Sequence, residues 1–199
     1  MSTNQSLARD QLQGRGRPLQ KMFERVPGHY DFLNRLLTFR LDEYWRKKAV
    51  HEVLNGHPSH VMDLGTGTGD MAVHIARRSP QTQVVGYDFS APMLEVARNK
   101  ARGRAIKNVE FLEGDAASMP FENGRFDVVA ISFAFRNITF KNPHTADYLK
   151  ETLRCLKPGG RFVIVETSQP RLGLIRKIFH SYFHYIVSGI GGRISGAKG

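Results

Sequence analysis

A chain of 199 residues is long enough for one domain of ordinary size and short for two. It is 41% hydrophobic and 24% charged, a soluble globular balance, and its single cysteine, Cys155, excludes an internal disulfide and fits a reducing, cytoplasmic setting. No apolar run approaches the ~20 residues that span a bilayer, and the polar stretch Met1 to Pro18 lacks the apolar centre of a signal peptide.

The net charge of +11 is concentrated on the flanks. Residues 1–60 hold ten Lys/Arg against six acids, 61–169 fourteen against twelve, and 170–199 five against none. Flanks of this kind serve plain solubility, or they draw the chain to nucleic acid, an anionic membrane surface or an acidic ligand.

Residues 1–20, rich in Gln, Gly, Arg and Ser, read as a mobile arm. Residues 21–199 read as a single domain with three parts: a helical cap (21–58), a ligand-binding core (59–168) and an amphipathic basic tail (169–199). In the cap, Phe32, Leu33, Leu36, Leu37 and Leu41 have helical spacing, which Trp45, Ala49, Val50 and Val53 continue. Asn55-Gly56-His57-Pro58 ends the helix.

From His60 short apolar runs alternate with helical segments. The runs are 61–64, 84–87, 109–112, 128–131 and 162–165. The segments between them are 70–78, 91–101 and 145–156. This alternation predicts an α/β fold, a mostly parallel, doubly wound Rossmann-like sheet with helices on both faces. Such a sheet binds its ligand outside the carboxyl ends of its strands.

The first run leads into Gly65-Thr66-Gly67-Thr68-Gly69-Asp70. Three alternating glycines let the backbone turn tightly and come close to a ligand, or they make only a strand-to-helix turn. The dinucleotide pattern G-x-G-x-x-G would place its third glycine at Asp70, and an acid there repels a pyrophosphate. A ligand with an amino-acid portion and no phosphate fits better. Asp88 ends the second run, 23 residues after Gly65, where a carboxylate accepts ribose hydroxyls. Asp115, after the third run, can accept from an adenine amine. Ser132 ends the fourth run beside the same crevice. Leu156-Lys157-Pro158-Gly159-Gly160 then makes a sharp turn into the fifth.

Together these residues resemble the class I methyltransferases, and further segments narrow the match. Tyr30-Asp31-Phe32-Leu33-Asn34 with Trp45-Arg46-Lys47, Phe89-Ser90-Ala91-Pro92-Met93-Leu94, Gly114-Asp115-Ala116 with Met119-Pro120-Phe121, and Ile131 to Asn137 are similar to the UbiE/MenG quinone methyltransferases. The Tyr-Asp-x-x-Asn and Arg-Asn stretches are the specific ones; the glycine loop and the Lys-Pro-Gly-Gly turn occur in many methyltransferases. The resemblance runs from about Lys21 to Gly196. It implies S-adenosylmethionine as cofactor, held by Thr68, Asp88, Asp115, Ala116 and Ser132, with Gly65, Thr66, Gly67, Gly69 and Phe89 around them. It also implies carbon methylation of a polyprenylated hydroquinone in menaquinone or ubiquinone synthesis. Two departures stand out. Ala134 and Phe135 replace the family's Gly and Leu. The family also continues for a few tens of residues past Arg193-Ile194-Ser195-Gly196, so the last strands of the sheet are expected to be missing here.

A ring carbon becomes a nucleophile when a neighbouring hydroxyl loses its proton, so no covalent enzyme nucleophile is needed. Arg136, after strand four, either stabilises the phenolate or makes a structural ion pair. Asn137 orients the ring hydroxyl or caps the next helix. Tyr30 walls the pocket or packs in the core. Asp70 meets the cofactor's amino group or caps its helix. His29 is the nearest histidine base or a structural residue, and Cys155 reads as core. In the tail, Ile175, Ile178, Phe179, Tyr182, Phe183, Ile186, Val187 and Ile190 form an apolar stripe with Arg176, Lys177, His180 and His184 off it. The stripe either packs on its own sheet or a second subunit, or lies at an anionic membrane surface. Nucleic acid is not an expected partner: no cysteine flanks strand four, and Ser132-Phe133-Ala134-Phe135 replaces the Asn/Asp-Pro-Pro-aromatic motif of base-amino methylation. The other readings are a class I methyltransferase acting on another small molecule or RNA, and a non-catalytic S-adenosylmethionine-binding module.

Overall fold

A computed structural model describes residues 41–140 and 142–166. In chain order the elements are α1 (Leu41–Leu54), β1 (His60–Leu64), α2 (Asp70–Arg78), β2 (Gln83–Asp88), α3 (Ala91–Arg102), β3 (Val109–Glu113), β4 (Phe126–Ser132), α4 (Phe135–Thr139), α5 (Thr145–Cys155) and β5 (Leu156–Val165). Five strands form one sheet in the order β3-β2-β1-β4-β5, and every pairing is parallel. The expected α/β Rossmann-like architecture is therefore present. No helix among the described residues is long and apolar enough to cross a membrane.

Successive strand residues face opposite sides of a sheet, and here each side has its own core. Val61, Val84, Val128 and Ala130 point to one face, where Ala49, Val50 and Val53 of α1, Met71 to Val73 with Ile75 and Ala76 of α2, and Leu94, Ala97 and Ala101 of α3 cover them. Met62, Val85, Val129 and Ile131 point to the other, against Met119, Phe121, Phe126 and Cys155. Cys155 is fully buried, as core. Strands buried on both faces read as near-continuous apolar runs, and the central strands β1, β2 and β4 are of this kind, whereas the edge strands β3 and β5 are only partly buried.

Three details differ from the sequence reading. Trp45 is not on the buried face of α1 but is half exposed, edge-on to Tyr44 with its ring centroid 5.3 Å away. The buried face runs through positions 46, 49, 50 and 53, so the charged Arg46 occupies its first slot. The Lys157-to-Gly160 stretch is not a turn before β5; it lies within β5 as an irregularity in the pairing with β4, opposite Phe126 to Val128. A short helix, α4, follows β4 without having been anticipated.

The strand order reverses direction between β1 and β4, so the loops leaving these two strands meet at the switch point of the sheet. From the far side, Arg161 of β5 donates hydrogen bonds to the carbonyl oxygens of Glu52, Val53 and Asn55, where α1 ends.

Candidate functional site

The loop from β1 to α2 is wound tightly and holds itself. The carbonyl of Tyr87, on β2, accepts from the amides of both Gly65 (2.8 Å) and Thr66 (3.2 Å). The Gly67 amide donates to Oδ2 of Asp88 at 2.8 Å, and the Gly69 amide to the Thr66 carbonyl at 2.9 Å. Gly69 has φ +76°, and a β-carbon there would lie 2.6 Å from the Ala97 side chain. Glycine is thus required both by the turn and by the approach of α3. Gly67 differs, since among the described residues no neighbour lies within 4 Å of where its β-carbon would stand.

These bonds revise one step of the sequence argument. Asp70 does not present bare negative charge to a ligand: Arg46 meets Oδ2 at 3.0 Å and Lys100 meets Oδ1 at 2.7 Å. Nor does Asp70 cap α2, whose N-cap is Gly69 with no side-chain cap bond. The loop is a poor phosphate cradle for a different reason. Phosphate loops aim free amides at the anion, whereas those of Gly65, Thr66, Gly67 and Gly69 are already used.

Below the loop lies a residue that sequence reasoning passed over. Asp63 is buried, and its Oδ2 accepts from the Thr66 hydroxyl at 2.6 Å and the Ala72 amide at 3.1 Å. Thr66 is therefore turned inward, holding the loop down. Burial pushes the pKa of Asp63 up to about 6, against the pull of Thr66, Ala72 and Arg46. The signal for Asp63 was available: an acid in the middle of an otherwise apolar buried strand needs a partner.

At the end of β2, Asp88 is almost fully buried. Besides Gly67 it takes the Ser90 amide on Oδ1 at 2.9 Å. Burial raises its pKa, while the amides of Gly67, Ser90 and Phe89 oppose the rise. A carboxylate has about four acceptor positions, so Asp88 retains capacity for further donors. The Ser90 hydroxyl is buried with no hydrogen-bond partner among the described residues. Phe89 follows with its ring half exposed. After β3, Asp115 accepts from the Ala117 amide at 2.9 Å, and Ala116 packs against the core face that holds Tyr87. Gly114 lets the Tyr87 hydroxyl pass beneath, since a β-carbon there would lie 1.9 Å from it.

The turn after β4 closes the opposite side. Ser132 ends the strand, paired with Val165 of β5. Phe133 has φ +58°, rare for a side chain with a β-carbon, and its amide donates to the Val165 carbonyl at 2.8 Å. Ala134 touches the glycine loop; a β-carbon at Gly65 would be 3.0 Å from its own. Phe135 turns away, packing edge-on to Phe162 at 6.1 Å. Of the two departures from the family pattern, only Ala134 therefore touches the loop.

Arg136 and Asn137 are both exposed on α4. The Arg136 amide donates to Glu166 at 3.0 Å, and its guanidinium lies over the Phe140 ring, 5.0 Å from the centroid. The guanidinium makes no ion pair among the described residues, so the ion-pair alternative is not seen. Asn137 caps nothing: it sits inside α4, whose N-cap is Ala134, and the N-cap of α5 is His144. Tyr30, Asp31, His29 and the tail stripe lie outside the described residues.

Gly65 to Gly69, Asp88, Phe89, Asp115, Ala116 and Ser132 thus lie at or just beyond the carboxyl ends of β1, β2, β3 and β4. A buried carboxylate, a half-exposed aromatic ring and a glycine loop with few free amides suit a nucleoside joined to an amino acid better than a phosphate. Sequence reasoning missed Asp63, Lys100 and the role of Arg46; Lys100 reaches the Thr68 hydroxyl at 3.0 Å as well as Asp70.

Comparison with known proteins agrees. A S-adenosylmethionine-dependent methyltransferase of known structure from Aquifex aeolicus shares the fold, with a TM-score of 0.59 at 22% identity over 72% of this chain and 75% of its own. The "Demethylmenaquinone methyltransferase" of Thermus thermophilus is 44% identical over 89% of this chain and 79% of its own. The "Ubiquinone/menaquinone biosynthesis C-methyltransferase UbiE" of Geotalea uraniireducens is 38% identical over 92% and 77%. A profile of the ubiE/COQ5 methyltransferase family matches residues 10–197. The chain belongs to the ubiE/COQ5 methyltransferase family and is an S-adenosylmethionine-dependent methyltransferase.

Proposed function

We propose that the chain methylates a ring carbon of a polyprenylated hydroquinone, as the names of its Thermus and Geotalea relatives suggest for those proteins. The observation that carries this reading is the Arg136 guanidinium. It is exposed and without an ion pair among the described residues, beyond a turn packed directly on the glycine loop.

S-adenosylmethionine supplies an electrophilic methyl group. The residues of this chain then have two tasks. With the cofactor bound, Asp88 would accept the ribose hydroxyls and Asp115 the adenine amine, with Phe89, Ala116, Thr68 and Ser132 lining the rest of the site. On the acceptor side the ring needs phenolate character before its carbon attacks. Arg136 provides positive charge where that oxygen develops negative charge, and Asn137, one residue on, offers an amide to orient the hydroxyl. The polyprenyl tail of the acceptor places the enzyme at a membrane surface, a contact favoured by the basic flanks.

The test is incubation of the chain with methyl-labelled cofactor and separate demethylated naphthoquinols and benzoquinols. Label in the ring of one class identifies the acceptor. Label in none of them, with bound cofactor demonstrated, overturns the hydroquinone reading.

A further inference from the structure

We infer that Arg46 and Lys100 are positioning residues for the cofactor loop, acting through Asp70, and that Arg46 also ties this loop to the turn after β4. The inference rests on the methyltransferase assignment and is independent of the acceptor.

Asp70 is the first residue of α2, directly after Gly69, so its side chain reports the path of the loop. Each of its oxygens is taken by a cation from a different helix: Oδ2 by Arg46 of α1 at 3.0 Å, Oδ1 by Lys100 of α3 at 2.7 Å. The three side chains are 11%, 15% and 19% exposed for Arg46, Asp70 and Lys100. Ion pairs this far from water are screened less than surface pairs. Lys100 continues to the hydroxyl of Thr68, within the loop itself, at 3.0 Å. The loop is therefore gripped at positions 68 and 70 by two helices that do not otherwise belong to it.

Arg46 makes one more contact. Its guanidinium carbon lies 5.8 Å from the centroid of the Phe133 ring, within cation–π range. Phe133 is the residue with positive φ at the end of β4. One side chain from the cap helix thus touches the cofactor side and the acceptor side of the crevice together. Placing arginine in the first slot of a buried helical face, at 46 before 49, 50 and 53, sacrifices apolar burial there. The gain lies in its contacts with Asp70 and Phe133.

A merely structural network would lower thermal stability and leave cofactor affinity alone. The experiment is calorimetric titration of the full chain with S-adenosylmethionine, for wild type, Arg46→Gln, Lys100→Met, Asp70→Asn and the Arg46→Gln/Asp70→Asn double variant, each checked for folding by thermal denaturation. The expected result is a loss of about tenfold in affinity for each single variant. The double variant should lose less than the sum of the two single losses, because Arg46 and Asp70 share one contact. Amide exchange at residues 65–70 should quicken in the same variants. Should Arg46→Gln fail to fold, Lys100→Met, nearer the surface, puts the same question to the same carboxylate. Folded variants that bind as wild type does, or strictly additive losses, overturn the inference. A wild-type chain that binds no cofactor overturns the methyltransferase assignment with it.

Discussion

The Thr66 hydroxyl donates a 2.6 Å hydrogen bond to the buried carboxylate of Asp63, fastening the glycine loop to the strand beneath it. This pair gives the fold a pH dependence with a definite sign. Burial raises the Asp63 pKa from 3.8 to about 6, so the folded state holds the proton more tightly than the unfolded chain. Its favourable contribution is fully present below about pH 4 and is lost as pH rises through about 6. The loss is about 3 kcal/mol. Glu151 acts oppositely: its hydrogen bond from Arg154 holds its pKa below the usual range, and that stabilisation is lost as pH falls through the lowered value. Denaturation of Asp63→Asn from pH 4 to 7 should therefore show a flatter stability profile than wild type. Parallel profiles would contradict the assignment.

Gly69→Ala combines a positive φ with a clash against Ala97, and the neighbour offers a backbone-anchored methyl that cannot swing away. We expect a loss of about 3 kcal/mol in stability, measured by urea unfolding. Gly67→Ala shares the positive φ, +52°, but meets no neighbour among the described residues, so it should cost less in stability, yet it should still hinder cofactor binding.

Asp88→Ala removes the acceptor for the amides of Gly67 and Ser90 together with the proposed ribose contact. Affinity for S-adenosylmethionine should fall by on the order of a hundredfold, read by calorimetry. Unchanged affinity in a folded variant would remove Asp88 from the site.

Arg136→Ala is expected to separate binding from turnover. The guanidinium contacts Phe140 and not the glycine loop, so cofactor affinity should hold. Turnover on the accepted quinol should drop by on the order of a hundredfold, as for loss of one group that stabilises developing negative charge. Equal losses in both would make Arg136 a cofactor residue.

The sheet was legible because its central strands are mostly apolar, as strands buried on both faces are, and all five runs became strands. The placement of the proposed cofactor residues was legible because it follows from topology: Gly65 to Gly69, Asp88, Asp115 and Ser132 each end a strand or lie in the loop after it. What escaped was set by contacts between distant segments. Arg46 was passed over because helical periodicity counts apolar residues, and a buried arginine looks like a gap in the stripe. Asp70 suggested bare charge because its partners, 24 and 30 residues away in sequence, carry no local signal. α4 spans five residues, too short for any period to show, and its presence moved Asn137 from a cap into a helix.

The Arg161 clamp on the end of α1 bears on the order of events during synthesis. The Asn55 carbonyl leaves the ribosome 106 residues before the side chain that binds it. Until β5 joins the sheet, the Glu52, Val53 and Asn55 carbonyls lack the Arg161 donor, and Glu52 has only its local bond from the Asn55 amide. This contact between the end of the cap helix and the sheet is therefore a late, long-range one. A stalled or shortened translation product that stops before β5 would accordingly leave α1 without this anchor.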